Sequence, residues 1–104
     1  MIQLYRRELG KFNRVYIPIK IMRKIGLKKS DEVEMYLKYG RIYIKKFSNH
    51  NWKKRKFIGM IRSLDSSSRL VIPIEYTKLM GLQPNDKIKV FLQNKDTIII
   101  NKDS

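Results

Sequence analysis

Two hydrophobic patterns take turns along this chain, alternating runs that read as strands and an i, i+4 spacing that reads as short helices. The whole succession occurs twice. Arg14-Val15-Tyr16-Ile17-Pro18-Ile19 returns 55 positions later as Arg69-Leu70-Val71-Ile72-Pro73-Ile74. A β-branched run favours an extended strand, and a proline can neither donate to a ladder nor sit deep inside a helix. Proline does fit the first helical position, where its missing N–H costs nothing. Each copy therefore predicts a strand, a sharp stop and a helix start, with an arginine at the strand's entrance. Gly26 and Gly81 follow each proline at the same distance, the usual left-handed exit from a helix.

The elements before and after this unit also come in pairs. First strands are predicted over Ile2 to Leu9 and Ile58 to Leu64, followed by the turns Gly10-Lys11-Phe12-Asn13 and Asp65-Ser66-Ser67-Ser68. Small polar residues suit such turns, and Asn13 tolerates positive φ. Second strands cover Arg14 to Ile17 and Arg69 to Ile72, and helices cover Ile19 to Ile25 and Ile74 to Met80. Ile21 with Ile25, and Tyr76 with Met80, share a helix face. In the third strands Val33, Met35 and Leu37 point one way and Glu34, Tyr36 and Lys38 the other. Ile88, Val90 and Leu92 repeat this against Lys89, Phe91 and Gln93. Hairpin signals at Lys38-Tyr39-Gly40-Arg41 and Asn94-Lys95-Asp96 lead to fourth strands over Ile42 to Phe47 and Thr97 to Asn101. The order is β-β-α-β-β, twice.

At this offset eleven positions are identical, most of them apolar or backbone-special. Arg7/Arg62 and Arg14/Arg69 are neither, which points to a task beyond solubility. The predicted organisation is a first repeat over 1–47, a basic connector over 48–56 and a second repeat over 57–104. A copy of that size is too small to bury a sound core alone. The expectation is therefore one shared domain: mostly β with two short helices, a pseudo-twofold β-barrel in which each repeat covers the other. Pairing of repeats between two chains is a competing arrangement, so monomer, homodimer and larger homo-oligomer stay open.

Charge narrows the function. The 104 residues carry 24 Lys and Arg against 9 Asp and Glu, a formal net charge of +15. The first repeat holds +9, the connector +4 and the second repeat +2. Such a balance favours a polyanionic partner. No apolar run approaches a membrane span and no basic amphipathic helix is evident, so nucleic acid is favoured over a membrane. The N-terminus lacks a signal-peptide pattern, and a cytoplasmic, nucleoid-associated location is expected. Cysteine is absent and His50 is the single histidine, without ligands at metal spacing, so no metal or cofactor is expected. No nucleophile–base pair, phosphate loop or acid pair supports an enzyme.

The pattern strand, loop, Arg-(Val/Leu)-x-Ile-Pro-Ile, short helix, Gly-Leu, Asp, alternating strand closely resembles the prokaryotic AbrB/MazE/SpoVT swapped-hairpin family. It does so over nearly the whole chain, as in tandem MraZ-like members. The resemblance implies a swapped-hairpin, double-psi-like barrel that binds DNA through basic residues on the first strand, at the start of the second strand and in the short helix. In this chain those positions are Arg7 and Arg62, Arg14 and Arg69, and Arg23 and Lys78. A second helical basic residue common in the family is replaced by Met22 and Thr77. The glycine usual before the second-strand arginine is replaced by Asn13 and Ser68.

Arginine forks match phosphate oxygens and the guanine edge, so a paired set on one sheet face can both position and read a duplex. The blander reading is a solvated face with surface ion pairs, which do little. Lys11, Lys53, Lys54, Arg55 and Lys56 are candidates for auxiliary phosphate contacts, although the connector run reads equally well as a solvated linker. Trp52 fits the cap of an open barrel end. Tyr5, Tyr16, Tyr36, Tyr39 and Tyr43 read as half-buried strand residues. Glu32 and Glu34 read as solubility charges, and Asp31 and Asp86 as holding the turn before each third strand. The expected function is a double-stranded-DNA-binding transcriptional regulator of a pseudo-palindromic site. The alternative is the antitoxin of a toxin–antitoxin pair, disfavoured by a sequence that ends with the last strand. RNA binding follows from charge alone.

Overall fold

A computed structural model describes residues 4–47 and 59–103. The expectations placed on His50, Trp52, Lys53, Lys54, Arg55 and Lys56 lie outside the described residues. The order is β1 (Leu4–Glu8), a 3-10 turn (Lys11–Asn13), β2 (Arg14–Tyr16), α1 (Ile19–Ile25), β3 (Glu32–Lys38) and β4 (Arg41–Lys46). Then follow β5 (Met60–Ser63), β6 (Arg69–Val71), α2 (Ile74–Met80), β7 (Lys87–Gln93) and β8 (Thr97–Lys102). The fold is mostly β with two short helices, as the patterning predicts.

Both helices start and stop for the predicted reasons, with one refinement. Pro18 and Pro73 keep an extended ψ of 135° and stand as N-caps, not as the first helical residues, so the helices run over Ile19–Ile25 and Ile74–Met80 as expected. Their carbonyls accept the first helical bonds, from the N–H of Met22 and Thr77. At the far end Gly26 and Gly81 adopt φ of 71° and 69°. Leu27 N–H then reaches back to Met22 O and Leu82 N–H to Thr77 O, both at 2.8 Å. This is the Schellman stop, with the buried leucine as its apolar contact.

Antiparallel pairing gives a six-stranded sheet in the order β1-β7-β8-β4-β3-β5 and a separate two-stranded ribbon, β2-β6. The strands interleave across the sequence: β1 pairs with β7, β5 with β3, β4 with β8 and β2 with β6. Among the described residues the six-stranded ladder does not close on itself. The shell is barrel-like, with β1 and β5 as edges that each turn into the ribbon. One face of the sheet, carrying Val33, Met35, Ile42, Ile44, Ile88, Val90, Ile98 and Ile100, packs with Val15 and Leu70 of the ribbon in a single buried cluster.

Polar bonds also cross between the sequence halves. Asp31 and Asp86 do hold their turns, accepting the N–H of Lys28 and of Gln83 at 2.9 Å. Their carbonyls accept the N–H of Leu64 and of Leu9, each in the other half. Tyr76 on α2 donates its hydroxyl to Met35 O on β3, and burial holds its pKa above 10.0.

Three expectations need correction. The β7–β8 loop has one residue more than the β3–β4 loop, so beyond the hairpins the equivalence shifts. Met35 faces Ile44 and Val90 faces Ile100, which makes Ile100, not Ile99, the counterpart of Ile44. Glu34 is no solubility charge: it is 4% exposed and accepts the Gly59 N–H at 3.0 Å. A polar-face position carries no information on whether a neighbouring strand will pass over it. Tyr36 and Tyr43 are half-buried and stacked, 5.2 Å between ring centres. Tyr16 and Tyr39, by contrast, are exposed, because one lies on the outer ribbon face and the other in a turn.

Candidate nucleic-acid interface

The β2–β6 ribbon is three residues long on each side, with Arg14 opposite Val71, Val15 opposite Leu70 and Tyr16 opposite Arg69. Cross-strand partners share a face. Val15 and Leu70 are thus driven inward together, at 1% and 0% exposure. The same alternation turns Arg14, Tyr16, Arg69 and Val71 outward together. The two second-strand arginines named by the repeat therefore occupy diagonal positions on one outer face. Neither was adjacent to the other in sequence.

The loops that feed the ribbon are locked by the opposite half. Ile17 N–H donates to Ser68 O and Ile72 N–H to Asn13 O. Asn13 and Ser68 have φ of 58° and 62°, so they fill a left-handed position that glycine would otherwise favour. Asn13 also donates Nδ2 to Thr77 Oγ1 on α2 at 3.1 Å. Met22 and Thr77 are 2% and 3% exposed, which explains why no second basic residue stands at these helix positions: an ammonium or guanidinium there would be buried.

Aromatic rings back the ribbon cations. The Arg14 guanidinium lies 5.4 Å from the Phe12 ring centre and that of Arg69 lies 5.9 Å from Tyr16. Between them is an open depression of about 420 Å³ lined by Glu8, Leu9, Gly10, Lys11, Phe12, Arg14, Tyr16, Arg69 and Asn85. The structure thus brings Lys11, Arg14 and Arg69 around one concavity. Arg7 and Arg62 do not line it. They sit on edge strands β1 and β5, opposite Ile88 and Val33, and are exposed; among the described residues nothing pairs beyond those edges. Arg7 stacks on Tyr5 at 5.3 Å, and Arg62 donates to Ile61 O at 2.9 Å. Arg23 and Lys78 are exposed in the last turns of α1 and α2, also outside the concavity.

Asp65, expected as a turn residue, does more. It accepts the N–H of Ser67 and of Arg69 on Oδ1 and the Arg69 Nε–H on Oδ2, at 2.8 to 2.9 Å. The Arg69 backbone N–H, the Ser67 N–H and the guanidinium together hold its pKa below the usual 3.8, against the opposing effect of desolvation. The first half has Gly10 in this place, and among the described residues Arg14 has no carboxylate partner. The signal was present in the sequence: aligning the loops sets Asp65 against Gly10, four residues before each arginine. The described residues hold no cluster of three His, Cys, Asp or Glu fit for a metal, and no helix among them is long and apolar enough to cross a membrane.

With this geometry in hand, the comparisons with known proteins place the fold. Residues 7–53 match the family model for antidote-toxin recognition MazE, bacterial antitoxin. The AbrB/MazE-type swapped-hairpin resemblance is shown over that stretch, and it supports a regulator of the DNA-binding or antitoxin kind. Over nearly its whole length the chain is similar in fold to the solution structure of PHS018 from Pyrococcus horikoshii. That similarity covers 97% of this chain and 94% of that one at 18% identity, with a TM-score of 0.54. No curated protein matches the chain.

Proposed function

We propose that this protein is a transcriptional regulator that occupies double-stranded DNA with the ribbon face. The observation that carries this reading is the shared outward face of Arg14 and Arg69 on a ribbon built from both halves of a +15 chain. A major groove about 12 Å wide admits a two-stranded ribbon, whose strands lie only about 5 Å apart. Arg7 and Arg62 on the flanking edge strands, and Arg23 and Lys78 on the helices, serve as phosphate contacts on either side. Lys11 joins them at the concavity. The two halves act as one domain, in the cytoplasm and at the nucleoid, alone or as a homo-oligomer.

The test is selection from random duplexes followed by affinity measurement over a salt series. About six phosphate contacts give a slope of log K against log salt near −5. Arg14→Ala with Arg69→Ala is expected to weaken the selected site by at least tenfold. Undiminished binding of every duplex by the double variant would remove these residues from the interface, and equal competition by RNA would point to a different nucleic acid.

The description of the matching family favours a second reading, an antitoxin that regulates its own operon and also binds a toxin protein. Co-expression with the product of a neighbouring reading frame separates the two: a stable complex that suppresses a ribonuclease supports the antitoxin, and its absence leaves the regulator.

A further inference from the structure

We propose that the two ribbon arginines do different work: Arg69, held by Asp65, reads a base edge, whereas Arg14 anchors a phosphate. This rests on the DNA-binding reading above. The difference begins at one pair of equivalent positions, Asp65 and Gly10. Asp65 binds Arg69 twice, at the backbone N–H and at Nε, both at 2.9 Å. The guanidinium is further backed by the Tyr16 ring. Its two Nη groups make no hydrogen bond among the described residues, and the side chain is 31% exposed. A planar fork is therefore oriented before any partner arrives, with its two outer donors free. Bidentate recognition of the guanine O6/N7 edge needs that orientation.

The same contact makes Arg69 a poor phosphate anchor. The Asp65 carboxylate, ionised well into acid because its pKa is lowered, offsets the arginine's charge where a phosphate would feel it. A base edge offers neutral acceptors and is less affected. Arg14 has the opposite surroundings. Gly10 supplies no carboxylate, and although Glu8 lines the concavity together with Lys11, Arg14 makes no ion pair among the described residues. An untethered cation suits a phosphate, whose recognition depends on charge more than on the aim of a fork. The pseudo-twofold site is then unequal, with one half-site read by sequence and the other held by its backbone.

The test uses the full chain, the selected duplex and a scrambled duplex of equal length, each titrated over a salt series. Arg14→Ala is expected to weaken both duplexes by the same factor and to reduce the salt slope by about one. Arg69→Ala is expected to cut the preference for the selected duplex by about ten- to a hundredfold. Asp65→Asn removes the tethering charge, so scrambled-duplex binding and the salt slope rise while preference falls; thermal unfolding of the same variant separates this from simple loosening of the loop. Gly10→Asp installs the tether in the first half. Gly10 N–H bonds Arg14 O at 2.8 Å as Asp65 N–H bonds Arg69 O at 2.9 Å, but a Cβ at Gly10 comes within 3.1 Å of Arg14 O, so the loop must give by a few tenths of an ångström and thermal unfolding of this variant is measured alongside its binding. That variant is expected to lower scrambled-duplex affinity and slope without loss of preference. Equal effects of Arg14→Ala and Arg69→Ala on preference, in a protein that does select a duplex, overturn the division of work alone. A wild-type chain that binds no duplex overturns the DNA reading and this one with it.

Discussion

Asn13 tests whether the halves are interlocked as described. It combines a left-handed backbone with a side-chain bond from Nδ2 to Thr77 Oγ1 at 3.1 Å, on the helix of the opposite half. A second bond, to Ile72 O at 3.4 Å, is long and adds little. Removing one part-buried bond costs about 1 kcal/mol. Placing alanine in the left-handed region costs about 1–2 kcal/mol more. Asn13→Ala is thus expected to destabilise by about 2–3 kcal/mol. Asn13→Gly loses the same bond but no longer strains the backbone, and about 1–2 kcal/mol is expected. The informative measurement is a double-mutant cycle of Asn13→Gly with Thr77→Val, read by urea unfolding at constant m. The coupling should be about 1 kcal/mol. Ser68→Gly is the control: Ser68 shares the φ but makes no side-chain bond among the described residues, so it should stay within about 0.5 kcal/mol of wild type. Additive losses at 13 and 77 would refute the cross-half contact, and equal losses for Ala and Gly would refute the strain assigned to the left-handed backbone at 13.

Other changes have equally definite outcomes. Leu70→Ala empties the inner face of the ribbon against Val15 and should cost about 2–5 kcal/mol in denaturant unfolding, with faster hydrogen exchange at the Ile72 N–H. Gly59→Ala should be more damaging than Gly26→Ala, since a Cβ at Gly59 overlaps Met35 O whereas one at Gly26 meets nothing within 4 Å; thermal midpoints rank the two. Asp65 has a lowered pKa, so its contribution is present above 3.8 and is lost as pH falls through the lower folded value. The stability gap between wild type and Asp65→Asn should therefore shrink between pH 6 and pH 3, and a gap unchanged over that range would contradict the assigned contact.

Much of this was legible along the chain because local rules suffice for it. Pro18 and Gly26, with their counterparts Pro73 and Gly81, bracket the helices through backbone chemistry that needs no distant partner. Alternation placed Met35 and Val90 inward. The repeat singled out Arg14 and Arg69 without any structure, as residues kept where neither packing nor backbone required them. Where local pattern misled, a distant segment was responsible. Glu34 reads as a solvent charge because its alternation is polar, yet β5 runs beside it and Gly59, just before that strand, donates its N–H to the carboxylate. Ile44 and Ile99 matched by offset, but a one-residue difference in hairpin loops moved the true equivalence to Ile100.

The sequence by itself determined the elements, their duplication and the excess of positive charge, since propensity, capping and composition act over a few residues. Only the tertiary structure decided that the two arginine-bearing strands pair with each other, and so share an outward face. Burying Val15 and Leu70 against the core leaves Arg14 and Arg69 no other side of a pleated ribbon to occupy. It also decided that the two cations are unlike, because the carboxylate of Asp65 acts only once the loop has folded back to meet Arg69.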